Sequence, residues 1–172
     1  MKLHLGSFDT FPVKWENEFD GRQIRPVFDS LLAVKSGRVR LDIQKTESEY
    51  YCQGEVTAVA SLECSRCLEP FDTELVSEID FIVCGRDHYD SLKSEAVDDE
   101  DYVFIDSSDH SADITKPVDE ALILAVSMKP LCDENCKGIC AVCGKNLNRT
   151  SCDCSKKKID PRWDALKGLS GA

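Results

Sequence analysis

A chain of 172 residues with 42% hydrophobic and 31% charged residues has the composition of a folded globular protein and not of a disordered one. The net charge of −11 argues against nucleic-acid binding over the whole surface, because phosphates would be repelled. The longest apolar run, at 121–126, is too short to cross a bilayer, and the amino terminus lacks the apolar core of a secretion signal, so we expect a cytoplasmic protein.

The charge is unevenly distributed along the chain. Residues 1–128 contain 12 basic and 27 acidic residues, a net of −15, whereas residues 129–172 contain 9 and 5, a net of +4. Together with the cysteine pattern described below, this change in charge predicts two parts, an acidic body at 1–130 and a basic, cysteine-rich tail at 131–172.

The amino-terminal third predicts mostly strands. Two short strands are expected at 2–5 and 11–17, and the segment 28–34 fits either a strand or a helix. From residue 39 onward, apolar residues alternate with polar ones, which predicts a strand with one buried face. The residues on that face are Val39, Leu41 and Ile43.

A long hairpin is the clearest feature of the body. Two segments with period-two alternation, at 54–64 and 70–83, are separated by only a few residues, which predicts two antiparallel strands with one solvated face. Cys64 and Cys67 should therefore lie at or near the hairpin tip. The residues expected on the buried face are Val56, Ala58, Ala60, Leu62, Phe71, Leu75, Ile79, Phe81 and Val83.

The rest of the chain predicts one main helix. The polar segment 86–101 is typical of a flexible loop and 102–106 of a strand. Helical spacing over 113–130 predicts a helix that Asp113 or Thr115 caps, that includes Met128 and that Pro130 ends. A short terminal helix is expected from Asp160. The fold class is α+β: an antiparallel β-rich body with a long hairpin and one main helix, plus a small zinc module.

Six of the ten cysteines lie between residues 132 and 154, in a segment with almost no apolar residues to form a core. In a reducing compartment such a cluster indicates metal binding and not disulfides. Two thiolates spaced C-x-x-C can reach one ion, and Zn²⁺ needs four ligands, so one structural zinc is our first expectation. Its ligands would be Cys140, Cys143, Cys152 and Cys154.

The ligand assignment is not unique. Cys132 and Cys136 form another close pair, which could replace Cys152 and Cys154 or could join Cys64 and Cys67 in a second zinc site. Four thiolates leave no open position for water, so either site would be structural and not catalytic. Metal binding, worth about 10–16 kcal/mol in zinc-finger peptides, would then supply the folding energy that the tail lacks.

Other chemistry fits less well. The spacing Cys136-x3-Cys140-x2-Cys143 is also that of radical enzymes with an iron–sulfur cluster, but too few residues follow it for their barrel. A redox role for Cys64 and Cys67 would need a helix start where strands are predicted. Cys52 and Cys84 should be buried, and we find no catalytic set. The three histidines, in weak or loop contexts, are His4, His88 and His110.

Five motifs together resemble the YceD family of large ribosomal RNA subunit accumulation proteins. They are the segments "LECSRCLEPF", "DITKPVDEALILAVSMKPLC", "CKGICAVCGKNLN", "CDC" and "IDPRWDAL", in this order, with Ala141 where many relatives have proline. The resemblance covers about residues 30–170. It implies a bacterial or organellar protein, not an established enzyme, that supports large-subunit (23S) ribosomal RNA and ribosome assembly.

Two mechanisms are compatible with that resemblance. In the first, the basic tail contacts ribosomal RNA or assembly intermediates of the large subunit, with Trp163 available for stacking. The phosphate-binding residues would be Arg149, Lys156, Lys157, Lys158 and Arg162. In the second, the acidic body shields a basic ribosomal protein, with Asp98, Asp99, Glu100 and Asp101 as contacts. A zinc-ribbon transcription accessory is a third class. No membrane or small-molecule partner is expected.

Overall fold

The computed structural model describes residues 1–24, 30–92, 102–154 and 162. One seven-stranded sheet dominates the fold, in the spatial order β1-β7-β6-β5-β4-β3-β2. The strands are β1 (Lys2–His4), β2 (Val13–Asp20), β3 (Leu31–Lys45), β4 (Glu49–Glu63), β5 (Pro70–Cys84), β6 (Tyr102–Asp106) and β7 (Ser111–Asp113). The helices are α1 (Arg86–Leu92) and α2 (Thr115–Ala125), and short 3₁₀ turns occupy Leu5–Ser7 and Gly21–Gln23.

The predicted hairpin is confirmed and forms the centre of the sheet. β4 and β5 pair antiparallel over their whole length, from Glu49 opposite Cys84 to Glu63 opposite Pro70. Cys64 and Cys67 lie in the connection between the two strands, as the alternation predicted. β3 pairs with the other edge of β4, and β2 with β3, so four long strands make one continuous antiparallel surface.

The two faces of this surface differ as the alternation predicted. One face forms the core, in which Val39, Ile43 and Val56 are fully buried. The other face, which we call the outer face, carries the alternate residues and is solvated. α2 covers part of the core face through buried Val118 and Leu122. Burial of one face of each strand accounts for the sheet without any contribution from the tail.

Three expectations about the body need correction. The segment expected to be a loop from residue 86 begins with α1 at Arg86–Leu92, and β5 pairs with β6 in parallel, so the sheet is not wholly antiparallel. The chain of β5–α1–β6 is a crossover, which parallel strands require. The main helix ends at Ala125, not at Pro130, and Met128 is 93% exposed instead of packing on the sheet.

Neither predicted capping residue occupies the N-cap position of the main helix, which is Ile114, but Asp113 supports the first turn from the position before it. Its carboxylate accepts hydrogen bonds from the Thr115 backbone N–H at 3.0 Å and the Thr115 hydroxyl at 2.6 Å. One of the two predicted capping residues therefore satisfies an otherwise unpaired N–H group of the first turn. No helix among the described residues is long and apolar enough to cross a membrane.

Candidate metal centres

The tip of the β4–β5 hairpin meets the start of the tail and gathers four cysteine sulfurs there. The sulfurs of Cys64 and Cys136 are 3.8 Å apart, and those of Cys67 and Cys132 are 3.7 Å apart. All four sulfurs lie within 4.8 Å of one another, and we call this group the hairpin cluster. Cys64, Cys67 and Cys136 are buried, whereas Cys132 is exposed, so the cluster is open to solvent on the side of Cys132.

Backbone hydrogen bonds hold the tail against the hairpin tip. Ser65 N–H donates to the Pro130 carbonyl at 2.8 Å, and Ile139 N–H donates to the Arg66 carbonyl at 3.1 Å. The Arg66 guanidinium in turn donates to the Cys136 carbonyl at 3.0 Å. Gly138 makes this approach possible, because its φ is +72° and an added Cβ would lie only 2.8 Å from the Arg66 carbonyl oxygen.

The second group of four sulfurs lies within the tail itself. Cys140, Cys143, Cys152 and Cys154 have their sulfurs within 4.8 Å of one another, and we call them the tail cluster. A tight turn forms its first half: Gly144 N–H donates to the Cys140 carbonyl at 2.9 Å, and Gly144 has a φ of +71°. The Val142 N–H points to the Cys140 sulfur at 3.4 Å, as expected for a turn that wraps around a thiolate.

Backbone N–H groups favour the thiolate form of one cysteine in each cluster. Burial pushes the pKa of Cys64 upward, but hydrogen bonds from the N–H groups of Cys132, Cys67 and Arg66 outweigh it and lower that pKa to about 6. In the tail cluster, the N–H groups of Cys143 and Val142 lower the pKa of Cys140 to about 6. Because the thiolate is the form that binds metal, each cluster contains a ligand ready for an ion at neutral pH.

The geometry of both clusters suits a four-coordinate metal ion. Four sulfurs at about 2.3 Å from a tetrahedral ion are about 3.8 Å from one another, and the two separations in the hairpin cluster match this value. They are far longer than the roughly 2.05 Å of a disulfide bond. All ten cysteines are free thiols. The arrangement can therefore hold a metal ion in each cluster and, with all positions filled by sulfur, leaves no site for a reacting water.

Asn148 links the hairpin cluster to the loop that precedes the tail cluster. Its side-chain amide donates to the Cys136 sulfur at 3.2 Å, while its side-chain oxygen accepts the Lys137 N–H at 2.7 Å. The residue therefore orients one sulfur ligand and the backbone beside it at the same time. Partners of this kind typically contribute a factor of about 10–100 to metal affinity.

Replacing Asn148 with alanine should therefore weaken metal binding in the hairpin cluster by about tenfold or more, since the Cys136 sulfur loses its side-chain donor. Competition with a chromophoric chelator would measure the affinity of each ion. Asn135→Ala is the matched control, because Asn135 also lies next to Cys136 but its side chain makes no hydrogen bond in the described structure. Equal affinities for both variants would contradict the role given to Asn148.

The remaining residues singled out from the sequence have separate positions. The Arg149 guanidinium pairs with the Glu69 carboxylate beside the hairpin cluster, and Arg162 is exposed. Cys52 and Cys84 are buried as expected, and burial raises the pKa of Cys52 to about 12. Outside the described residues lie Lys156, Lys157, Lys158, Trp163, the predicted terminal helix and the acidic run at 98–101.

Two residues of the site were missed from the sequence. Arg66 and Asn148 have no ligand chemistry of their own, so the cysteine spacing draws no attention to them. Their positions carry a weak signal. Arg66 lies inside the motif Cys64-Ser-Arg-Cys67, and Asn148 follows the C-x-x-C pair of Cys140 and Cys143 by a few residues. His88, one of the three histidines in weak or loop contexts, is half-buried, with its Nε2 3.2 Å from a Glu49 carboxylate oxygen.

Comparison with known proteins adds a family match over most of the chain. Residues 52–170 match the family model described as "Large ribosomal RNA subunit accumulation protein YceD". A chloroplastic YCED homolog 1 of Arabidopsis thaliana is 29% identical over 154 residues, which are 77% of this chain and 48% of that protein. Its Zea mays counterpart is 24% identical over 159 residues, covering 76% and 52%.

An uncharacterized protein of Mycobacterium tuberculosis is 25% identical over 144 residues, covering 82% of this chain and 67% of that protein. The chain thus spans about half the length of the two plant relatives. No solved structure matches. The family match includes every cysteine of both clusters, because the first of them is Cys64 and the last is Cys154.

Proposed function

The chain belongs to the YceD family, and from this premise we propose that it is a ribosome-biogenesis factor that supports the accumulation of large-subunit (23S) ribosomal RNA without turning over a substrate. The relatives' names carry that role for those proteins, and here it is part of the proposal. A cytoplasmic location is also part of the proposal. The two plant relatives, by contrast, are named chloroplastic.

We propose further that each cluster holds one structural Zn²⁺ ion. The observation that supports this most directly is the pair of four-sulfur groups, since soft thiolate ligands in tetrahedral sets favour zinc or iron–sulfur chemistry. The sulfur separations of 3.7 and 3.8 Å in the hairpin cluster favour a single ion, because an iron–sulfur cluster would hold its four thiolates farther apart. Zinc would supply folding energy to a segment that lacks a core. Lys137 and Lys145 lie close in the chain to the cysteines and would offset the negative charge of the sulfurs.

The hairpin cluster has a consequence for how the protein presents its surfaces. Two of its ligands come from the body and two from the tail, so a metal ion there would fix the tail in one orientation on the sheet. The described part of the tail and the sheet would then form one rigid unit. This favours a role in holding assembly partners, which needs surfaces, over one in chemistry, which needs an open site.

We propose that the basic residues of the tail contact the RNA. Lys156, Lys157, Lys158 and Arg162 would bind phosphates. Arg149 forms an ion pair with Glu69, so it must exchange that carboxylate for a phosphate in order to bind RNA. Binding through these residues should weaken steeply with added salt, since each phosphate contact releases counterions.

Affinity purification with and without ribonuclease tests this function. A tagged chain should recover large-subunit ribosomal RNA and precursor particles in a ribonuclease-sensitive manner, and depletion of the protein should lower 23S relative to 16S RNA. The triple variant Lys156→Gln/Lys157→Gln/Lys158→Gln should lower this recovery. The control is Lys14→Gln, which removes a lysine from the outer face and should not lower it. Recovery of no ribosomal material, with 23S RNA unchanged on depletion, would refute the proposal.

A further inference from the structure

The outer edge of β5 is open over most of its length. On one side β5 pairs with β4 throughout, but on the other side it pairs with β6 only through Ile82–Cys84. Within residues 1–24, 30–92 and 102–154, no strand pairs with the edge from Pro70 to Phe81. A strand edge of this length presents a row of backbone N–H and C=O groups that can pair with another extended chain.

The outer face beside this edge carries carboxylates that have no basic partner among the described residues. Glu74, Glu78 and Asp80 alternate along β5 and are exposed, and none forms an ion pair with any described residue. Elsewhere on the same face most acids lie in ion pairs, although Glu63 of β4 forms none with a described residue. Arg38 pairs with Glu16 and Glu18, and Arg40 pairs with Glu55. Negative charge on the outer face is thus concentrated on the strand whose edge is open.

A groove runs along the same edge, between β5 and α2. Its volume is about 150 Å³, and its lining combines the apolar residues Ile79, Phe81, Pro117, Ala121 and Leu124 with Glu78, Asp80 and Glu120. Leu124 is 83% exposed, which is unusual for a leucine on a helix that otherwise packs on the sheet. A strand added to β5 would place alternate side chains towards the carboxylates and the others towards this groove.

We propose that the open β5 edge binds an extended, lysine- and arginine-rich segment of a protein as an added strand. Backbone pairing supplies the affinity, and Glu74, Glu78 and Asp80, with exposed Val76 between the first two, select basic side chains opposite them. An apolar side chain between them faces the groove beside Leu124. The proposal rests on the proposed function for the identity of the partner, a basic protein that joins the large subunit, but not for the binding itself.

Charge favours this occupant over two others. RNA would bring phosphates against Glu74, Glu78 and Asp80, and the repulsion would oppose binding. A second copy of the chain pairing edge to edge would bring the same carboxylates close to one another, and like charges on neighbouring strands are destabilising. A basic extended segment alone satisfies both the backbone groups and the charge of this surface.

The test uses the full-length protein loaded with zinc and a synthetic peptide of about nine residues, a usual strand length, in which lysine alternates with threonine and valine. Titration by calorimetry and by amide NMR shifts should show binding centred on β5. The triple variant Glu74→Gln/Glu78→Gln/Asp80→Asn should weaken it by about tenfold or more, since each cross-strand charge pair contributes a few tenths to one kcal/mol.

The matched control is Glu16→Gln/Glu18→Gln/Glu55→Gln, which makes the same change in net charge but removes acids that already have partners. It should change the affinity by less than about twofold by this account. A peptide N-methylated at every residue, which has no backbone N–H left to donate to the edge, should not bind. Three results would overturn the proposal. They are an equal loss of peptide affinity in both triple variants, unimpaired binding of the methylated peptide, and amide NMR shifts in β5 caused by an RNA fragment in place of the peptide.

These outcomes are separable from failure of the proposed function. The peptide titration involves only the purified protein, so recovery of no ribosomal particles would leave it unaffected. Conversely, normal recovery of particles by the Glu74→Gln/Glu78→Gln/Asp80→Asn variant would place the ribosomal role on the tail. The peptide titration would still decide whether the β5 edge binds a basic segment.

Discussion

Replacing Cys64 and Cys67 together with serine should lower the bound zinc from about two ions to about one per chain and should detach the tail from the body. The reason is that these two sulfurs are the body's half of the hairpin cluster. Without the ion, the tail retains the exposed Arg149–Glu69 ion pair and hydrogen bonds such as those between Ser65 and Pro130 and between Ile139 and Arg66. Each of these hydrogen bonds contributes about 0.5–1.5 kcal/mol, far less than a structural zinc.

Elemental analysis of the purified variant gives the stoichiometry, and limited proteolysis gives the detachment. Cleavage should become rapid between residues 126 and 140, while the body stays resistant, because its core does not depend on the cluster. Circular dichroism should keep the strand signal for the same reason. The buried residues Val56, Ala58 and Ala60 pack against the sheet core and not against the tail.

The matched variant is Cys140→Ser/Cys143→Ser, which removes half of the tail cluster and leaves the hairpin cluster intact. It should also lose about one zinc, but the chain around Pro130 should stay protected, because Cys132 and Cys136 remain bound to the hairpin tip. Cys52→Ser serves as the control for a buried cysteine outside both clusters and should keep both ions. A wild-type protein that folds fully without metal would contradict both centres.

The sequence could place the cysteines of the hairpin but not their partners. Alternation along β4 and β5 specified the strands and so located Cys64 and Cys67 at the tip. Spacing, however, says only which thiols are close along the chain. Cys64 is separated from Cys136 by 72 positions, and whether these two meet depends on how the tail folds back after α2. For this reason cysteine spacing alone gives the site formed by Cys64, Cys67, Cys132 and Cys136 only as an alternative.

The errors in the body have similar physical causes. Helical spacing continues past Ala125 to Met128, but the backbone leaves the helix at Val126, where ψ is 119°. The chain must turn there because the Pro130 carbonyl accepts the Ser65 N–H at the hairpin tip. A local pattern carries no information about such a distant constraint. α1 was missed because its seven residues are mostly polar, and the parallel β5–β6 pairing follows from that crossover.

Exchanging Gly54 for alanine should destabilise the body by about 3 kcal/mol or more, the upper end of what overpacking costs. Gly54 lies in the middle of β4, opposite Leu41 of β3 and Ile79 of β5. An added Cβ would be 1.9 Å from the Arg40 carbonyl oxygen and 2.9 Å from its carbon. These are backbone atoms of the neighbouring strand, so no side-chain rotation relieves the overlap, and β3 and β4 must separate at the centre of the sheet.

Urea unfolding followed by circular dichroism measures the free energy of unfolding, and the matched control is Gly85→Ala. Gly85 follows β5 directly, its added Cβ would have nothing within 4 Å, and we expect a change of less than about 0.5 kcal/mol there. Because the hairpin holds half of the hairpin cluster at its tip, Gly54→Ala should also weaken zinc retention in that cluster more than in the tail cluster. Similar stabilities for the two glycine variants would mean that β3 and β4 do not approach each other as closely at Gly54 as described.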